Sequence, residues 1–191
     1  MAGLIKYLKS LFMKSSPTVV PEKLDLQSQQ RLENYKNIIE LTSSKYKLDP
    51  LIVASVIMQE SSGNNFAVRY EPAFQTRYVD KTKEGRNLVS SADWQTERIC
   101  RATSWGLMQI MGLVARERGY SKHYLSELSD PMDNIEFGCK HLSALMRREG
   151  NEIRGLLAYN GGGDPTYPQR IEKWRARIKE CGIFVKTETT A

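Results

Sequence analysis

Glu60 is the residue whose setting most suggests chemistry. It closes an apolar run, Leu51 to Met58, that carries hydrophobic side chains on nearly every side, and Ser61-Ser62-Gly63 follows as a helix stop. A carboxylate placed there loses hydration, which is costly unless it is paired or protonated. The C-terminus of a helix adds partial negative charge, which also disfavours the ionised form. Both effects push the pKa of Glu60 upward, toward what a general acid needs near neutrality. The alternative is a Glu60 that rims the core and faces water, and this stretch alone supports the two equally.

Other reactive residue types form no comparable constellation. Cys100, Cys139 and Cys181 lack metal-ligand spacing, and their odd number makes no complete disulfide framework, so they read as free thiols. His123 and His141 stand apart, with no zinc-site cluster beside them, and read as structural. Gly161 to Gly163 are not followed by the Lys-Ser/Thr of a phosphate loop. No metal or cofactor is expected.

The elements that must position Glu60 are helical. Leu32, Tyr35, Ile38, Ile39 and Tyr46 share one face of a helix ending near Leu48. Asp49-Pro50 supplies an N-cap and a first-turn proline for the helix that ends at Glu60, and Asp130-Pro131 repeats that signal. Met132, Ile135, Cys139, Leu142 and Met146 then keep three-four spacing to about Gly150. Ile153, Leu156 and Leu157 mark a shorter helix, and Ile171, Trp174 and Ile178 the last one. No set of alternating strands competes, so the fold is expected to be all-α, built around a central buried helix. The segment from about Gln75 to Ala102 is polar and weakly periodic, with a helix near Trp94 to Cys100 inside a long loop that could cover a binding site.

The chain of 191 residues, 40% hydrophobic and 26% charged, suits one globular domain with a short appendage. No apolar stretch approaches the roughly 20 residues of a membrane span. A net charge of +6 is compatible with an anionic partner but selects none. The appendage is residues 1–21. Leu4, Ile5, Leu8, Leu11 and Phe12 fall at helical spacing with Lys6, Lys9 and Lys14 between them, and Pro17 and Pro21 bracket a linker. This basic stripe could lie on an anionic membrane or simply pack on the domain. Lysines interrupt any apolar core of a secretory signal, so none is expected.

Three further segments combine with Glu60-Ser61. They are Ser104-Trp105-Gly106-Leu107-Met108-Gln109-Ile110, Asp130-Pro131 with Asn134-Ile135, and Ala158-Tyr159-Asn160-Gly161-Gly162. In that order and spacing the set resembles the soluble lytic transglycosylase family, a goose-type-lysozyme-like group, from about Leu32 to Ile178. The link from Arg69 to Ala102 is longer than the family's usual one. The resemblance implies a lysozyme-like catalytic domain over residues 22–191, with Glu60 as the catalytic acid and Ser61, in the same motif, as a substrate-binding residue. It implies substrate contacts from the amide of Gln109 and the thioether of Met108, and from Asn160, with Tyr159 near the acid. A core methionine is the alternative for Met108, and a capped core ring for Tyr159. Ser104 onward is expected to introduce a helix.

With one carboxylate at a motif position, a single-acid scheme is favoured over a two-carboxylate one. Glu60 would protonate the oxygen between N-acetylmuramic acid and N-acetylglucosamine, then take the C6 hydroxyl proton, leaving a 1,6-anhydro end. Glu71, Asp80, Asp93 and Glu97 are expected to be solvated. A goose-type muramidase that admits water, with Glu71 or Asp93 positioning it, is the nearest alternative. A non-catalytic cell-wall-binding or phage-tail component is another, and nucleic-acid binding rests on charge alone. The expected partner is the peptidoglycan glycan strand, met by a monomer, and no nucleic acid. Made in the cytoplasm, such an enzyme would reach the periplasmic wall through a phage-type lesion or in a virion. A chain beginning near Val20 should digest isolated sacculi as well as the full chain does but bind anionic vesicles less, an effect that salt weakens. Vesicle binding unchanged by the truncation, measured by co-sedimentation, would reject the membrane role.

Overall fold

A computed structural model describes residues 23–81 and 91–184. The basic stripe and linker of the N-terminus lie outside them. Helices dominate, in the order α1 (Leu26–Tyr46), α2 (Pro50–Ser61), α3 (Pro72–Phe74), α4 (Trp94–Arg101), α5 (Gly112–Glu117), α6 (Pro131–Glu149), α7 (Glu152–Tyr159) and α8 (Tyr167–Glu180). A π-turn over Gln75–Val79 continues α3, and a 3₁₀ turn, Leu125–Ser129, leads into α6.

Local chemistry explains the boundaries. Asp49 caps α2 through the Leu51 amide, with Pro50 in the first turn. Asp130 caps α6 through the amides of Met132 and Asp133, with Pro131 in the same place. The stop after Glu60 comes one residue earlier than the glycine suggests. Ser62 itself adopts the left-handed conformation, φ 52°, and its N–H donates to the Met58 carbonyl.

Helix α2 is the axis of the core. Ile52 through Gln59 are all buried, between α1 and α8. Leu32 and Ile39 of α1, and Ile171, Trp174 and Ile178 of α8, join the same cluster, as do Ile135, Cys139 and Leu142 of α6. Helix α6 in turn packs against α7 and α1. Met132, expected on the buried stripe of α6, is instead 44% exposed in its first turn.

One expectation needs correcting. Ser104 does not open a helix. Thr103–Trp105 (β2) pairs antiparallel with Val68–Tyr70 (β1) on one side and Ile110–Met111 (β3) on the other, a small sheet ordered β1-β2-β3. The reversal between β2 and β3 uses two left-handed residues, Gly106 at φ 67° and Gln109 at φ 47°. A helix cannot run through such a pair, so it starts only at Gly112.

That turn is clamped from behind. The buried side chain of Asn134 accepts from the Met108 amide at 2.7 Å and donates to the carbonyls of Trp105 at 2.7 Å and Leu128 at 2.9 Å. A Cβ on Gly106 would stand 2.4 Å from the Asn134 amide nitrogen, so only glycine fits. Replacing Asn134 with Leu orphans three buried backbone groups at about 1–3 kcal/mol each. The expected loss is at least ~3 kcal/mol in denaturant unfolding, with the turn displaced; a loss under ~1 kcal/mol would show that water replaces the amide.

Candidate active site

Glu60 sits in the last turn of α2 and opens into a cleft of about 420 Å³, counting space continuous with solvent. Gln109, Ile110, Met111, Val114, His141, Tyr159 and Asn160 line it with Glu60. Helix α2 supplies the carboxylate, the turn and β3 the floor, and α6 and the end of α7 the far wall. Glu60 is the one carboxylate among these described lining residues.

Its proton affinity is set by opposing effects. Burial raises the pKa of Glu60, while the hydrogen bond from Tyr167 and the charges of Arg69 and Arg170 pull it down; the net direction is upward. The Tyr167 hydroxyl donates to Glu60 Oε1 at 2.6 Å. Tyr167 is itself buried at the start of α8, and burial together with the Glu60 charge pushes its own pKa well up, so it remains a donor. A carboxyl can therefore hold its proton in this cleft and still be steadied once it ionises.

The residues expected around Glu60 divide by what their side chains touch. The Gln109 amide nitrogen donates to the carbonyls of Ala67 and Gly106, both at 3.0 Å, which ties the turn to β1 while the residue lines the cleft. Asn160 ends α7 with its amide nitrogen buried and without a protein partner. Tyr159 lines the cleft, and its hydroxyl donates to the Met108 carbonyl at 2.7 Å. Ser61 does not line the cleft; its hydroxyl bonds the carbonyls of Leu107 at 2.8 Å and Ile57 at 3.1 Å. Met108 takes the core alternative. It is fully buried, and a Cβ on Gly138 would lie 2.3 Å from its sulfur, so the thioether is packed on α6 and away from the cleft.

With this geometry in view, the chain can be set beside known proteins. The family model described as the Transglycosylase SLT domain matches residues 37–180. The chain belongs to this family. It is 29% identical over 141 residues to a transglycosylase of Enterobacteria phage PRD1, covering 74% of this chain and 37% of that protein. It is also similar to the membrane-bound lytic murein transglycosylase E of Buchnera aphidicola, 28% identical over 123 residues, covering 61% of this chain and 42% of that one. The chain thus spans well under half the length of either relative. No solved structure matches.

The SLT match contains every residue lining the cleft, together with Tyr167. Sequence reasoning missed Tyr167, His141, Arg69 and Arg170. Tyr167 follows Asp164-Pro165-Thr166, which reads as a turn, and its pairing partner lies 107 residues away. His141 was expected to be structural only, yet it borders the cleft with its ring 5.6 Å from that of Tyr159. Of the acids between Glu60 and the turn, Asp80 and Asp93 are exposed as expected, Glu71 is half-buried, and Glu97 alone is buried. Glu71 pairs with Arg69 at 2.5 Å and Asp80 with Arg98 at 3.0 Å, while Asp93 caps α4. Glu97 is buried between Arg101 and Arg116, at 2.9 Å from each.

A raised folded-state pKa means that the native protein binds the Glu60 proton more tightly than the unfolded chain does. Stability is then lost as pH rises from the ordinary carboxylate value through the folded pKa. Glu60→Gln should therefore melt higher than the parent at neutral pH, with the gap closing below about pH 4. Tyr167→Phe should move the Glu60 titration, followed by carboxyl NMR, to higher pH. A Glu60 that titrates at or below the free-residue value in the parent would refute this account.

Proposed function

We propose that this chain cleaves the β-1,4 bond between N-acetylmuramic acid and N-acetylglucosamine in peptidoglycan, with Glu60 acting first as acid and then as base. The observation that carries this reading is the state of Glu60. It lies partly exposed on a cleft wall, burial raises its pKa, and no second carboxylate borders the described cleft.

The steps follow from that arrangement. Protonated Glu60 gives its proton to the glycosidic oxygen as the C1–O bond breaks, and the N-acetylglucosamine side leaves with a free 4-hydroxyl. The donor from Tyr167 and the charge of Arg170 steady the carboxylate while positive charge develops at the anomeric carbon. The carboxylate then takes the proton of the muramoyl C6 hydroxyl as O6 bonds to C1. The acid is restored, and the product carries a 1,6-anhydro end. Gln109 and Asn160 position the strand, and positioning can contribute as much as the proton transfer does. Likeness to a phage transglycosylase supports a phage-type setting, in which the enzyme meets the wall during lysis.

Digesting sacculi in ¹⁸O-labelled water separates this chemistry from hydrolysis. Mass spectrometry should find the new ends anhydro-terminated and unlabelled. One label per new reducing end would assign the reaction to a muramidase. Glu60→Gln should lower turnover by at least about 10²-fold while the protein stays folded.

A further inference from the structure

Arg170, in the first turn of α8, is held by groups that the proton-transfer steps do not use. Its side chain is only 12% exposed, so water screens its charge little. One Nη pairs with Asp164 Oδ2 at 2.6 Å, and the other donates to the Thr166 hydroxyl at 2.7 Å. Asp164 Oδ1 in turn accepts from the Thr166 amide at 2.8 Å and from its hydroxyl at 2.7 Å. The loop ahead of α8 thus closes a ring of bonds around the guanidinium, which rests 5.7 Å from the centre of the Tyr167 ring.

Tyr167 is the donor to Glu60, so this cation stands beside the acid's own partner. Its charge reaches Glu60, yet among the described residues no ion pair joins the two. A guanidinium in direct contact lowers a carboxyl pKa by about 1–3 units, which works against an acid that must hold a proton. The other nearby cation is arranged alike, since Arg69 pairs with Glu71 at 2.5 Å. Burial raises the pKa of Asp164, but the bonds from Thr166 and Arg170 outweigh it and hold the carboxyl below the ordinary aspartate value. Asp164 therefore stays charged while Glu60, whose pKa is raised, titrates. The remaining groups facing Glu60 do not change charge there. Burial drives the His141 imidazole pKa down to about 3 and those of the Tyr159 and Tyr167 hydroxyls well up.

We infer that Asp164 is a positioning residue of this site: with Thr166 it holds the Arg170 guanidinium over Tyr167 and short of an ion pair with Glu60, so that the acid keeps the proton it must deliver. Asp164 does not line the cleft and acts on Glu60 only through Arg170. The inference rests on the acid-then-base reading above and adds a residue, outside the cleft, that sets the pH range in which the acid works.

The test follows the Glu60 carboxyl by ¹³C NMR in the full chain, a readout that needs no substrate. Asp164→Asn keeps the side-chain shape but removes the charge that anchors Arg170. The Glu60 titration should then fall by about 0.5–1 pH unit, less than the shift of a cation in full contact. Adding Arg170→Gln should cancel that fall and return Glu60 to the parent value or above. The alkaline limb of sacculus digestion should move down in pH together with the Asp164→Asn titration, because only the protonated acid starts the reaction. If circular dichroism shows that Asp164→Asn folds poorly, Thr166→Val removes the other anchor and should lower the titration in its place. A titration that the folded variant leaves unmoved or raises, or a fall that survives Arg170→Gln, would overturn the assignment. The expected titration shifts in a chain that releases no muropeptide at any pH would instead overturn the glycan-cleaving reading and leave the tether of Arg170 standing.

Discussion

The side-chain amide of Asn134 bonds the backbone on both sides of Gly106 and also reaches the 3₁₀ turn before α6. The floor of the cleft depends on that clamp. The turn it holds presents Gln109 in a left-handed conformation, offers the Leu107 carbonyl to Ser61, and offers the Met108 carbonyl to Tyr159. Three helices are thereby registered against one reversal of the chain. Helix α2 bonds it through Ser61, α6 through Asn134 and α7 through Tyr159. Since each bond is buried or partly buried, a shift of the turn would leave several polar groups unpaired together. The carboxylate, the amides and the imidazole consequently keep their spacing as a unit.

Within that frame the acid-then-base role proposed for Glu60 sets opposing demands. A fully apolar pocket would hold its proton too firmly for release, and a cationic one would strip the proton before it could be used. Burial dominates, while Tyr167, Arg69 and Arg170 temper it from the other side. The buried Glu97, between Arg101 and Arg116, shows the contrasting outcome for an acid in this fold: close ion pairs make it a structural link between α4 and α5. The half-buried Glu60 and the buried Glu97 thus differ in setting, and the number of cations within ion-pair distance separates them.

Much of this was legible in the residues. Helix caps at Asp49-Pro50 and Asp130-Pro131, the all-round apolar character of Leu51 to Met58, and the spacing on α6 each follow from short-range chemistry, and α2 and α6 stand where these signals put them. The Gly106–Gln109 segment misled because a short apolar run fits a strand or a helix equally, and a left-handed Gln109 leaves no periodic trace. Met108 misled for a related reason: at a single position, one turn residue facing the cleft and the next facing the core look alike in composition. Tyr167 and His141 escaped because their roles come from partners far away in the chain, which no local pattern encodes.

The bond between Tyr167 and Glu60 also has a history in synthesis. The carboxylate emerges early and its hydroxyl partner 107 residues later, after both the clamp and the far wall of the cleft have been made. An unfinished chain can bury Glu60 against α1, but it has neither the donor nor the Arg170 charge that restrain its proton affinity. In its proposed role, Glu60 would reach its working state only when α8 docks on α2, after most of the domain has left the ribosome. For a protein whose proposed target is the wall of the cell that makes it, potency arrives with completion of the fold.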